Sequence, residues 1–184
     1  MSHPNILDPR NTALAVIDLQ EAFRTVIPDF ESVARRIAIV VRGFQVLGCP
    51  VLVTEQYPAR LGRTADEVRA TLGDVVPYEK SAFSSCGSSP FVDRLTELGV
   101  RQVVVCGLET HICVSQTAHD LLDRGFDVHV LCDCVCSRFE YNRLAGLAKM
   151  ARAGAVESSV EMALFELMRD AKHEHFKAIQ ALIK

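Results

Sequence analysis

Val100–Val114, VRQVVVCGLETHICV, runs an apolar segment into a glycine and then into a helix-patterned stretch, Ile112–Arg124. Val100–Cys106 is rich in β-branched residues and lacks apolar–polar alternation, as expected of a parallel strand covered on both faces. A strand delivering its chain directly into a helix is the building block of an α/β domain. At that junction backbone N–H groups converge and the helix dipole favours an anion, which predicts a thiolate at Cys113 and makes this residue the candidate nucleophile.

Outward from this junction the same alternation repeats. Ala13–Asp18, ALAVID, reads as a first strand ending in a carboxylate, and Ser32–Leu47 as a helix stopped by Gly48. Pro50–Thr54 is a second strand, and Glu55–Thr64 is too rich in Pro and Gly to be regular. Ala65–Leu72 predicts a short helix and Asp74–Lys80 a weak strand that delivers Lys80, followed by a small-residue loop over Ser81–Pro90. Phe91–Leu98 is helical up to Gly99, Phe126–Cys132 is a strand delivering Asp133, and Tyr141–Ala153 is an amphipathic helix. Ala155–Val156 predicts a short last strand, Ser158 or Ser159 an N-cap for a helix over Val160–Arg169, and His173–Ile183 a final helix. The pattern predicts a three-layer α/β domain around a mostly parallel sheet, with ligands bound beyond the carboxyl ends of the strands. Asp18, Glu55, Lys80, Cys113 and Asp133 all fall at that edge.

The totals narrow the function. A chain of 184 residues with 49 % hydrophobic content suits one domain spanning 1–184. Its 20 basic and 23 acidic residues give no basic stripe for nucleic acid. No apolar run reaches membrane-spanning length, and MSHPNILDPRNTA has neither a basic start nor a hydrophobic middle, so a cytoplasmic protein with reduced thiols is expected.

A cysteine nucleophile needs a proton acceptor, a cation to keep that acceptor ionised, and donors for the oxyanion formed on attack at a carbonyl. Asp18, Lys80 and the backbone N–H groups of Glu109 and Cys113 are candidates for those tasks. Gln20, Phe23, Gln56, Tyr57 and Phe83 are candidates for the walls of a small-molecule pocket. His111 is two residues from Cys113 and does not face it, so it reads as a turn residue; His119 reads as packed or solvated within its helix. Cys132, Cys134 and Cys136 lack the spacing and the fourth ligand of a structural zinc site and read as separate small residues, oxidisable if the rim is open. Cys49 and Cys106 read as core, while Cys86 is placed equally well in the core or near the pocket.

Asp18 in IDLQ, Lys80 in EKSAFS and Cys113 in GLETHICV resemble, in that order, the Asp–Lys–Cys triad of the isochorismatase-like cysteine hydrolases. TEQYPARLGRT at 54–64, LLDRGFDVHVLCD at 121–133, SR at 137–138 and the tail HFKAIQALIK extend the resemblance to the isochorismatase domain-containing proteins. The resemblance implies a six-stranded parallel sheet of order 3-2-1-4-5-6. It also implies a cis peptide at Leu108–Glu109 and a homo-oligomer, a dimer or larger; from the residues themselves, the apolar C-terminal helix offers that oligomer a surface, and Asp133 with Arg138 reads as a structural ion pair that ties down the loop after its strand. Nicotinamidases of the superfamily carry a metal-binding aspartate and histidines after strand two, where this chain has Glu55, Gln56, Tyr57 and Pro58. The resemblance therefore implies a hydrolase of a small amide with no metal and no cofactor. Its alternatives are vinyl ether cleavage with Asp18 as acid, and a non-catalytic oligomeric scaffold.

Overall fold

The structure, a computed structural model, describes residue 3 and residues 5–184; the reading of the N-terminal segment falls in part on positions 1, 2 and 4, outside the described residues. Six strands form one parallel sheet: β1 Thr12–Ile17, β2 Val51–Gln56, β3 Tyr78–Lys80, β4 Gln102–Gly107, β5 Asp127–Val135 and β6 Val156–Ser158. Their order is β3-β2-β1-β4-β5-β6, as expected. The central strands are apolar on both faces because helices cover both faces. Leu14, Val16, Val104 and Cys106 point into one core with α1 Phe30–Val46, α7 Val160–Met168 and α8 Phe176–Ile183. Ala15, Ile17, Val103 and Val105 point into the other, with α4 Ser89–Glu97, α5 Ser115–Asp123 and α6 Glu140–Arg152. Two single-turn helices, α2 Pro58–Leu61 and α3 Asp66–Arg69, lie in the connection from β2 to β3.

The chain leaves β1 in one direction, through β2 to β3, and returns on the other side through β4 to β6. The crevice at this reversal lies between the carboxyl ends of β1 and β4, where open α/β sheets bind ligands. Ile17 pairs with Gly107 in the register, so Asp18 and the turn after β4 flank that crevice.

Several local expectations change. The strand over 126–132 runs on to Val135 across a register shift opposite β4, so Asp133 lies within it rather than beyond it. Its carboxylate accepts from Val160 N–H at 3.1 Å, holding the N-terminus of α7, and meets Arg36 at 3.3 Å. Arg138 pairs instead with Glu109, at 3.2 Å, so the expected Asp133–Arg138 pair is absent. Among the described residues the peptide bonds are trans, including Leu108–Glu109, where the resemblance implies a cis bond. The change of direction there is made by Gly107, at φ 119°, where a Cβ would stand 1.9 Å from the Ile17 carbonyl oxygen.

The apolar face of α8 packs onto α1 and α7, with Ile179 buried and Phe176 edge-on to Phe165, while Phe176, Leu182 and Ile183 stay only partly buried. Exposed apolar groups also gather at the start of α6, where Phe139 stacks on Tyr141 and Leu144 follows. Cys49, Cys86, Cys106, Cys134 and Cys136 are buried, which removes the open rim envisaged for Cys134 and Cys136. Among the described residues no helix is long and apolar enough to cross a membrane.

Candidate active site

Asp18 is the first residue beyond β1. Its left-handed backbone, φ 48°, is a conformation that aspartate tolerates better than most side chains and that turns the carboxylate back over the sheet edge. The side chain is 1 % exposed, and each oxygen has a partner. Lys80 Nζ, at the end of β3, donates to Oδ2 at 2.5 Å; Thr54 Oγ1, near the end of the intervening β2, donates to Oδ1 at 2.8 Å. Lys80 also donates to the carbonyls of Ala82 and Phe83, at 3.0 and 2.9 Å, so the ammonium is held by three oxygens. A buried ion pair is stable only when its remaining donors and acceptors are met, and here they are.

Cys113 arrives from the other side of the crevice. Thr110–Val114 is a π-helical turn leading into α5, a wide turn of the kind that commonly marks functional positions. It is fixed from behind by α6, whose Gly146 leaves only 3.0 Å between a notional Cβ and the backbone of Thr110 and His111. His111 is tied sideways to Ser137 Oγ at 3.0 Å, as expected of a turn residue, and His119 Nδ1 meets the Ser115 carbonyl within α5. The thiol donates to Gln56 Oε1 at 3.6 Å and lies beside the Asp18 carboxylate, close enough for the two to interact.

The electrostatics reverse one expectation. Burial and the neighbouring Asp18 carboxylate push the Cys113 thiol up to about 12, against the opposing pull of Lys80. Cys113 is therefore a thiol at neutral pH. The helix N-terminus does not ionise it, because a buried thiolate beside a carboxylate costs more than the dipole returns. Burial also raises Asp18 above the ordinary carboxylate range, against the Lys80 ammonium and the Thr54 hydroxyl. A raised carboxylate is a stronger base, and a proton on sulfur is what such a base would take.

Phe23, Gln56, Phe83, Glu109, Ile112 and Cys113 line a cavity of about 150 Å³ in front of the thiol. Gln20 and Tyr57 lie elsewhere. Gln20 is fully buried, and its amide is engaged by the chain: Nε2 donates to the carbonyls of Gln56 and Gly62, while Oε1 accepts from Gln56 N–H. It staples the β2–α3 loop onto β1. Tyr57 is 52 % exposed, with the Arg60 guanidinium over its ring. Sequence reading missed Thr54, the wall residue Ile112 and the Glu109 side chain. Thr54 had a visible signal: a hydroxyl closing an apolar strand, PVLVT, that the implied strand order sets beside Asp18. Among the described residues no three His, Cys, Asp or Glu side chains gather to hold a metal ion.

Comparison with known proteins agrees with this fold. The isochorismatase domain model matches residues 12–162. The secreted isochorismatase effector Isc1 of Phytophthora sojae is 41 % identical, over 97 % of this chain and 87 % of its own. Isochorismatase domain-containing protein 1 of Salmo salar is also 41 % identical over 97 % of this chain, which spans 62 % of that protein's length. Among solved structures, the MAR1 ribonuclease of Caenorhabditis elegans superposes with a TM-score of 0.92 at 36 % identity, over 97 % of this chain and 92 % of that one. With a matching domain model, this strand order and these relatives, the chain belongs to the isochorismatase family of hydrolases, in the branch of the isochorismatase domain-containing proteins.

Proposed function

We propose that the protein is a metal-independent cysteine hydrolase that cleaves the C–N bond of a small amide through a thioester on Cys113. The observation that supports this reading is the buried Lys80–Asp18 pair lying within reach of the thiol that opens into the cavity. Because Cys113 is protonated at rest, Asp18 removes the S–H proton as sulfur attacks the carbonyl carbon. The carbonyl π electrons move to oxygen, and the oxyanion is met by backbone N–H groups of Glu109 and Cys113; the Glu109 N–H has no acceptor of its own among the described residues. Collapse of the adduct breaks the C–N bond, Asp18 returns the proton to the departing nitrogen, and a thioester remains. Asp18 then deprotonates water, hydroxide displaces the thiol, and the acid is released with Cys113 re-protonated. Lys80 holds the Asp18 carboxylate ionised between these transfers.

The cavity volume suits a compact substrate, since an engineered apolar cavity of about 150 Å³ accommodates benzene. The balance of charge, 20 basic against 23 acidic residues, supports a small molecule over nucleic acid. A homo-oligomer joins the proposal, for which the exposed Phe139, Tyr141 and Leu144 offer a surface besides the C-terminal helix.

The test is release of ammonia or amine from a panel of small amides and ureides, with Cys113→Ala as control and a chelator added to a parallel sample. Turnover that requires Cys113 and survives chelation supports the proposal. Turnover indifferent to Cys113 but lost with Asp18→Asn would favour acid cleavage of a vinyl ether, and turnover lost to chelator and restored by zinc or iron would overturn metal independence.

A further inference from the structure

We infer that the Glu109 carboxylate selects the substrate: it takes an N–H donor or a cationic nitrogen on the bound amide and turns away compounds that carry a carboxylate. This inference rests on the hydrolase reading above. Glu109 is only 5 % exposed and lines the cavity next to Cys113. A carboxylate so placed must be compensated, and half of the compensation is visible. Arg138 reaches it with its backbone N–H at 2.9 Å and its Nε at 3.2 Å, both on Oε2. Oε1 accepts nothing from the described residues and is not fully buried, on a residue that lines the cavity. An acceptor with no donor, held on the wall of a small pocket, is a recognition group for an N–H.

The other wall residues sharpen the selection. Phe23, Phe83 and Ile112 are apolar, and Gln56 presents Oε1 toward the sulfur while its Nε2 donates away, to the Ser81 carbonyl at 3.3 Å. Among the described residues no lysine or arginine lines the cavity. The Lys80 ammonium behind it is held by Asp18, Ala82 and Phe83, and the Arg138 side chain, half exposed, is turned to Glu109. An anionic substrate would therefore meet the Glu109 carboxylate with no cation among the described lining residues to receive it. The class that fits is a compact neutral or cationic amide bearing further N–H groups, such as a ureide or an amino amide.

The experiment compares two thiol reagents of similar size on the full chain: cationic 2-aminoethyl methanethiosulfonate and anionic 2-sulfonatoethyl methanethiosulfonate. Modification of Cys113 is located by mass spectrometry, with Cys113→Ala as blank, and each rate is normalised to that of a small free thiol. The wild type should favour the cation by about tenfold or more, equivalent to about 1.4 kcal/mol. Glu109→Gln should bring the ratio near one, and Arg138→Met, which strips a partner from the carboxylate, should raise it. A wild-type ratio near one, or a ratio unmoved by both substitutions, would overturn the inference even if Glu109→Gln proves poorly folded. Because the readout needs no turnover, a preserved cation preference in a protein that hydrolyses no amide would sink the hydrolase reading alone and leave the Glu109 assignment intact.

Discussion

Replacing Asp18 by Asn should make Cys113 react faster with an alkylating agent while removing hydrolysis. The thiol is pushed up to about 12 by burial and by the Asp18 charge, with Lys80 pulling the other way. Asparagine keeps the shape and removes the charge, leaving the buried ammonium without its carboxylate. Ionisation of Cys113 would then restore a compensating anion. A unit charge at about 4 Å, in an effective dielectric of about 20, contributes about 4 kcal/mol, so the thiol pKa should fall by about 3. At pH 8 that raises the thiolate fraction by about 10³, while the weaker base loses nucleophilicity by about 20-fold, a net gain of about 50-fold. The assay is iodoacetamide labelling with peptide mapping, using the buried Cys106 and Cys134 as slow internal references. Labelling of Asp18→Asn at or below the wild-type rate would refute the claim that this carboxylate governs the sulfur's proton.

Four further outcomes follow from the same structure. Burial raises Asp18, so its basic form is lost as pH falls through a value above the ordinary carboxylate, and the acid limb of kcat/KM should lie above about pH 4; a limb at or below it would contradict the assignment. Since Cys113 ionises near 12, the same profile should show no thiol-like rise between about pH 7 and 10. Gly107→Ala sets a Cβ 1.9 Å from the Ile17 oxygen at φ 119°, and should cost at least about 3 kcal/mol, lowering Tm by about 6–12 °C; a change under about 2 °C would show that the close approach is not real. Gln20→Ala removes three hydrogen bonds from the loop after β2, and should cost about 2–3 kcal/mol with faster amide exchange confined to residues 56–64; unchanged exchange there would disprove the staple.

The fold was legible because its central strands are buried on both faces. Val103–Cys106 and Ala13–Ile17 carry no polar residue, and that pattern belongs to a sheet with helices on either side. The short edge strands were less clear, since Tyr78–Lys80 and Val156–Ser158 hold only three residues each and take their conformation from neighbours. Asp18, Lys80 and Cys113 were legible as strand-end residues in order along the chain. Their electrostatics were not, because burial and the Asp18 charge, properties of the assembled site, outweigh the helix dipole that sequence position suggests. Gln20 and Tyr57 show the same limit. Both follow strands at the correct edge, yet one amide is drawn into the loop's own hydrogen bonds and one ring turns to solvent, choices made by a backbone carbonyl here and a left-handed φ there.

The most direct test of the triad is a double-mutant cycle on amide hydrolysis. Asp18→Asn and Cys113→Ala should each lower kcat by about 10³ or more, and the double variant should be no slower than the worse single one, as for groups that act as a unit. Additive losses, or a Cys113→Ala protein that still releases ammonia at the wild-type rate, would show that the buried pair and the sulfur do not share one reaction.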